Sequence, residues 1–117
     1  MKVLLVDDEE ELVTTLAERL SFRGVEAQWT TTGHDAVALT EKEPFDVVVL
    51  DVKMPCMNGI QLKKKLEQIR PEMKYVFVTG HGSEEDFRIG SAEADHYLAK
   101  PLDIEALVAT LVEVMKT

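Results

Sequence analysis

Short apolar runs rich in Val and Leu alternate along the chain with longer segments whose apolar residues recur every three or four positions. This is the pattern of repeated strand and helix units wound around a parallel sheet. Residues 3–6 form the first such run. The segment 9–22 that follows puts Leu12, Val13, Leu16, Ala17 and Leu20 on one helical face before Arg23-Gly24 closes it. A weaker strand over 26–30 leads through Thr32-Gly33 into a helix with Ala36, Val37 and Leu39, which Pro44 ends. Residues 46–50 read as a central strand, because Val-Val-Val-Leu does not alternate, as expected where helices cover both faces. After a loop over 51–58, a third helix carries Ile60, Leu62, Leu66 and Ile69 as far as Arg70-Pro71, and residues 75–78 form the fourth strand. Ser83-Glu84-Glu85-Asp86 is a capping-box signal for a short fourth helix with Phe87 and Ile89. Residues 96–98 make the fifth strand, and Asp103 caps a last helix with Ile104, Leu107, Val108, Leu111 and Met115 on its apolar face. Five strands and five helices in strict alternation imply an α/β fold: one doubly wound, five-stranded parallel sheet.

Composition narrows what such a fold can do. The chain has 117 residues, 45% of them hydrophobic and 30% charged, which are the proportions of a single globular domain. Its 22 acidic residues outnumber its 13 basic ones for a net charge of −9, which makes direct nucleic-acid binding by this chain improbable. The single Cys56 forms no internal disulfide, and no Cys/His zinc spacing is present, so a reducing compartment and a cytoplasmic location are expected. No apolar run approaches the roughly 18 residues of a membrane helix, and the acidic run from Asp7 to Glu11 interrupts any secretory segment, so no membrane partner is expected.

Each strong strand is followed by a polar residue: Asp7-Asp8 after the first, Asp51 after the third, Thr79 after the fourth and Lys100 just beyond the fifth. In a parallel sheet all of these converge on the edge where such folds place their sites. Three crowded carboxylates repel one another unless a cation neutralises them. Oxygen ligands in an open site suit magnesium, with manganese as a substitute. A carboxylate beside a metal, a lysine and a hydroxyl is also the set required for phosphoryl transfer to an aspartate. The metal and Lys100 hold the equatorial oxygens, Thr79 hydrogen-bonds one of them, and an Asp51 oxygen attacks in line.

Together, Val6-Asp7-Asp8-Glu9-Glu10, the stretch from Val49 to Pro55 with Asn58-Gly59, Val78-Thr79-Gly80 and Tyr97-Leu98-Ala99-Lys100-Pro101 resemble the receiver domain of two-component response regulators. The match runs in order over essentially the whole of residues 1–117. It implies a flavodoxin-like (βα)5 fold of strand order 2-1-3-4-5. By position it implies Asp51 as phosphoacceptor, Asp7 and Asp8 with Asp51 and the backbone carbonyl of Lys53 as metal ligands, and Thr79 and Lys100 as phosphoryl contacts. Thr79 and Tyr97 would be the switch pair, the Lys100-Pro101 bond would be a cis candidate, and Lys53 and His81 would tune the phosphoryl lifetime. Implied partners are a sensor histidine kinase or phosphotransfer protein, and an output domain or downstream protein docking on the face of the fourth helix, fifth strand and fifth helix. A homodimer formed on phosphorylation is left open. The sequence departs from the commonest pattern at Cys56, where glycine usually follows Met-Pro, and at Gly80, which replaces alanine; Thr79-Gly80-His81-Gly82 resembles receivers of the nitrogen-fixation and nitrogen-regulation type.

Each residue alone has a plainer reading. Asp7-Asp8 could be the acidic first turn of a helix, Tyr97 a static aromatic, Cys56 an incidental loop thiol, and Met54, Met57 and Met73 loop and core filler. His34, His81 and His96 read as surface residues, and Trp29 on the weakest strand has no compelling functional reading beyond an interface. Only the joint set carries weight. It favours a signalling switch with self-directed chemistry, not an enzyme with an external substrate. A phosphorylation-independent docking module is the alternative, and a magnesium-dependent phosphohydrolase ranks last because it lacks an evident acid/base residue or substrate cap. Met1 reads as a natural beginning, while a stand-alone receiver and the first domain of a longer regulator both fit the ending at residue 117.

Overall fold

The computed structural model of the chain describes residues 1–80 and 96–116. The helix expected after Ser83, its capping box and His81 lie outside the described residues. The elements are β1 (Lys2–Val6), α1 (Glu10–Ser21), β2 (Glu26–Thr30), α2 (Gly33–Lys42), β3 (Val47–Asp51), α3 (Gly59–Ile69), β4 (Lys74–Thr79), β5 (His96–Ala99) and α4 (Ile104–Met115). All strand pairs are parallel, in the order β2-β1-β3-β4-β5.

The central strands are apolar on both sides because both sides are covered, and the period-two geometry of a strand deals their residues alternately to two cores. Val3, Leu5, Val47, Val49, Val76 and Val78 pack with α1 and α4. Leu4, Val6, Val48, Leu50, Tyr75 and Phe77 pack with α2 and α3. β2 lies on the sheet edge and carries Trp29, which is 38% exposed.

Local signals set the helix ends. Thr32 caps α2 by accepting from the Asp35 amide, and Asp103 caps α4 by accepting from the Ala106 amide. Asn58 opens α3 with a capping box shared with Gln61. The strands β1, β4 and β5 each run a residue past an expected end, which makes Thr79 the last residue of β4, and two expectations shift further. The third strand runs one residue later than 46–50, because Asp51 still pairs with Val78 of β4 and the Val52 amide donates to the Val78 carbonyl. On α4 the buried stripe is Ile104, Leu107, Leu111 and Val114, and Met115, expected inside, is exposed; from Leu111 the stripe continues three residues on, not four.

Candidate functional site

The strand order places the topological switch point between β1 and β3, the strands from which the chain departs in opposite directions along the sheet. Val6 pairs with Leu50, so one step further Asp7 and Asp51 stand side by side at the carboxyl ends of adjacent strands. Asp51 pairs with Val78 and Thr79 with Ala99, which sets Thr79 one step beyond Asp51's level and Lys100 one step beyond that. The Lys100 amide donates to the Thr79 carbonyl at 2.7 Å, and the Lys100-Pro101 bond is cis.

Four of the expected side chains meet here. One carboxylate oxygen from each of Asp7, Asp8 and Asp51 lies within 4.8 Å of the others. The Lys100 ammonium reaches Asp7 Oδ2 at 2.8 Å and Asp51 Oδ2 at 3.3 Å. The aspartates are held from behind by backbone amides: Glu9 donates to Asp7 Oδ1 at 2.9 Å and Lys53 to Asp51 Oδ1 at 3.1 Å. Asp7 and Asp51 are only 5% and 4% exposed, whereas Asp8 faces solvent. Beneath them a cavity of about 10 Å³ is lined by Val13, Val49, Val78 and Leu102 as well as by both buried aspartates.

That apolar floor sets the electrostatics. Burial, and then the neighbouring Asp7 charge, push the Asp51 carboxyl up to about 6 against the opposing pull of Lys100 and the Lys53 amide. Asp7 is raised too, again chiefly by burial. Burial alone would depress Lys100, but Asp7, Glu9 and Asp51 outweigh it and hold the ammonium above its ordinary range. One lysine cannot neutralise the buried Asp7 and Asp51 with the Asp8 carboxylate beside them. The excess negative charge and the all-oxygen donor set fit a hard divalent cation.

Thr79 is buried at the same rim. Tyr97 stands apart from the carboxylates: it pairs with Phe77, packs against the core on the α2 and α3 side, and buries its hydroxyl. Strand alternation nevertheless puts Thr79 and Tyr97 on one face of the sheet as diagonal neighbours. Lys53 is exposed beside Asp51, and His34 is exposed on α2.

Sequence reasoning gave no role to two residues of this rim. Glu9 offers Oε1 to the Lys100 ammonium at 2.7 Å, a contact across 91 positions that a charge at a helix start does not announce. At Gly59 an added Cβ would meet the Asp51 carbonyl oxygen at 2.5 Å and the Val52 Cα at 3.0 Å. The Gly59 amide also donates to the Val52 carbonyl at 2.9 Å, so α3 begins pressed against the peptide that carries Asp51. Glycine directly after a capping asparagine was the available signal. Cys56, in the intervening loop, has φ +69°, the left-handed region in which glycine is free of strain.

The family model described as the response regulator receiver domain matches residues 3–112. The chain belongs to that family. Among its relatives, the transcriptional regulatory protein CpxR of Klebsiella pneumoniae is 37% identical over 116 residues, which are 98% of this chain and 49% of CpxR. The receiver thus spans about half the length of such curated relatives. The chemotaxis protein CheY4 of Vibrio cholerae superposes with a TM-score of 0.88 at 32% identity, covering 97% of each chain. A response regulator of Burkholderia pseudomallei, solved with a phosphorylated aspartic acid, a calcium ion and citrate, has a TM-score of 0.84 at 26% identity, covering 99% of this receiver and 72% of that chain. Among the described residues, no helix of the receiver is long and apolar enough to cross a membrane.

Proposed function

We propose that this receiver takes a phosphoryl group from the phosphohistidine of a sensor kinase or phosphotransfer protein onto Asp51 and displays an altered surface while it holds it. The observation that carries this reading is the meeting of Asp7, Asp8 and Asp51 within 4.8 Å around the Lys100 ammonium. With its carboxyl at about 6, Asp51 is largely ionised near neutrality and acts as a nucleophile without a separate base. One of its oxygens forms the new O–P bond while the P–N bond of the donor breaks. The imidazole nitrogen leaves with the electron pair and takes a proton from solvent. Lys100, already 3.3 Å from Asp51 Oδ2, supplies positive charge to the phosphoryl oxygens, and Thr79 donates its hydroxyl to one of them. Magnesium, or manganese, held by Asp7, Asp8, Asp51 and the Lys53 carbonyl would neutralise the carboxylates and polarise the phosphoryl group.

The phosphoryl group adds charge and acceptor oxygens at the end of β3. Drawing Thr79 toward it changes the packing of the diagonal neighbour Tyr97, which is how a local charge biases β5 and the surface shared with the flanking helices. That surface would engage an output domain or downstream protein, and a homodimer formed on phosphorylation is one form this engagement can take. Hydrolysis returns the switch to rest, and Lys53 and His81, by their positions in the sequence motif, would tune its rate. The receiver works in the cytoplasm and turns over no external substrate.

Acetyl phosphate or beryllofluoride, added with magnesium, is expected to give a saturable change in the amide resonances of Thr79 and Tyr97 that Asp51→Asn abolishes. A wild-type protein that stays silent under both reagents would sink this function.

A further inference from the structure

We propose that Glu9 is a positioning residue for the phosphoryl contact: its carboxylate is the resting counter-ion of Lys100, and a phosphoryl group on Asp51 must displace it. The proposal rests on the phosphoacceptor reading above. Glu9 is the N-cap residue of α1, a place where Ser, Thr, Asp or Asn normally accepts from the helix, yet its side chain makes no capping hydrogen bond. Its backbone does the local work instead. The amide is tied to Asp7 Oδ1 at 2.9 Å and the carbonyl accepts from the Leu12 and Val13 amides. The side chain is left to reach Lys100 Nζ at 2.7 Å.

An ammonium has three N–H donors and no more. Here they are spent on Glu9 at 2.7 Å, Asp7 at 2.8 Å and Asp51 at 3.3 Å, and the longest of the three goes to the phosphoacceptor. New phosphoryl oxygens inherit the donor now on Asp51, and a second donor for them has to come from Asp7 or Glu9. Asp7 is enclosed, its side chain 7% exposed, and its Oδ2 would lose the ammonium in a place that water does not reach freely. The Glu9 side chain is 61% exposed and returns to water at little cost. Glu9 is thus the partner that yields. It raises the threshold for loading, and it recaptures Lys100 when the phosphoryl group leaves.

Calorimetric titration of the metal-loaded receiver with beryllofluoride, alongside magnesium titration of the metal-free protein, tests this. Glu9→Gln is expected to bind beryllofluoride about two- to fivefold more tightly, the equivalent of an exposed ion pair, with magnesium affinity changed less than about twofold. Glu9→Asp keeps the charge but falls short of Lys100 and should follow Glu9→Gln. Glu10→Gln, which removes the same charge from the exposed first turn of α1, should leave both affinities at wild-type values. Beryllofluoride affinity in Glu9→Gln that is unchanged, weakened or matched by Glu10→Gln overturns the proposal, as does a tenfold or larger loss of magnesium affinity, which would make Glu9 a metal ligand. Each of these leaves the phosphoacceptor reading intact; absence of magnesium-dependent beryllofluoride binding by the wild-type protein overturns both.

Discussion

The sheet carries a lysine among carboxylates at each end, and the two clusters behave in opposite ways. At the amino ends of the strands, Lys2 pairs with Glu43 and with Glu26, the latter at 3.8 Å, its ammonium lies 5.2 Å from the Phe45 ring centre, and its amide donates to Asp46 Oδ2. The hydrogen bond from Lys2 holds the Glu43 carboxyl below its ordinary value, so the ionised form is the favoured one. At the carboxyl ends, Lys100 faces Asp7, Glu9 and Asp51, and the two buried aspartates are pushed up. Both are lysine and carboxylate networks, but only the second has more negative charge than its burial and its one cation can accommodate. An ion pair at a strand end is ordinary. The mark of a site is charge left uncompensated in a dry place.

The geometry that keeps the second cluster dry gives the largest expected effect. Gly59→Ala drives a methyl against the Asp51 carbonyl and the Val52 Cα, both backbone atoms with nowhere to go. It should cost about 1–3 kcal/mol in urea denaturation. It should also weaken beryllofluoride binding, because Asp51 has to move. A glycine there that tolerates alanine in both measurements would mean that the rim is not preorganised by α3.

Next in size is the contrast in pH response. Asp51 titrates near 6 when folded and near 3.8 when unfolded, so between those values the folded state holds the proton the unfolded state has released. Stability of the metal-free receiver should therefore fall as pH rises from about 4 to 6 and level off above 7. Asp51→Asn removes the Asp51 share of this slope and leaves that of the buried Asp7, and at pH 7 it should stabilise the metal-free protein by about 1–2 kcal/mol. Magnesium should recover most of that difference in the wild type and little of it in the variant. Thermal unfolding across pH, with and without the ion, checks both statements, and an Asp51→Asn variant less stable than wild type at pH 7 would contradict the electrostatic picture.

Such a contrast was only half legible in the sequence. The runs 3–6, 46–50 and 75–78 announce buried strands because apolar residues without alternation have no other place in a chain this size, and Asp7, Asp51 and Thr79 then follow at the same end of each, with Lys100 just beyond the fifth strand. Strand register was not legible. It is register that sets Asp7 beside Asp51 and Thr79 diagonal to Tyr97, and it is decided by tertiary packing of alternating faces. The Glu9 contact was hidden for the same reason, since an acidic residue in a first turn is already explained by the helix dipole. The shift of Asp51 from loop to strand end arose because an aspartate looks like a strand terminator until its pairing with Val78 is seen.

Smaller again is the response of the amino-end cluster. Its pH sign is opposite: Glu43 is held low by Lys2, so the pairing contributes stability above the ordinary carboxylate range and loses it as pH falls through the folded value. Glu43→Gln should lower the unfolding temperature slightly at pH 7 and low ionic strength, with the difference vanishing in concentrated salt. It should leave beryllofluoride binding untouched. A salt-resistant loss, or any change at the far rim, would mean that the two ends are coupled through the sheet.

The smallest net effect is expected from Cys56→Gly, in the loop between Asp51 and Gly59. Cys56 holds φ +69° with a side chain attached, a conformation that costs an ordinary L-residue roughly 1–2 kcal/mol relative to glycine. Cys56→Gly relieves that cost but gives the unfolded chain more freedom, worth about 0.4–1 kcal/mol in the other direction. The net change in stability should thus stay within about 1 kcal/mol and be stabilising if strain outweighs entropy. Cys56→Val separates the two contributions. A β-branched residue keeps the unfolded chain stiff and makes the left-handed conformation worse, so it should destabilise by more than about 1 kcal/mol. If Cys56→Val were as stable as wild type, the loop would not hold this residue in the left-handed region in solution. The contact of α3 with the Asp51 peptide would then rest on Gly59 and the Asn58 capping box alone.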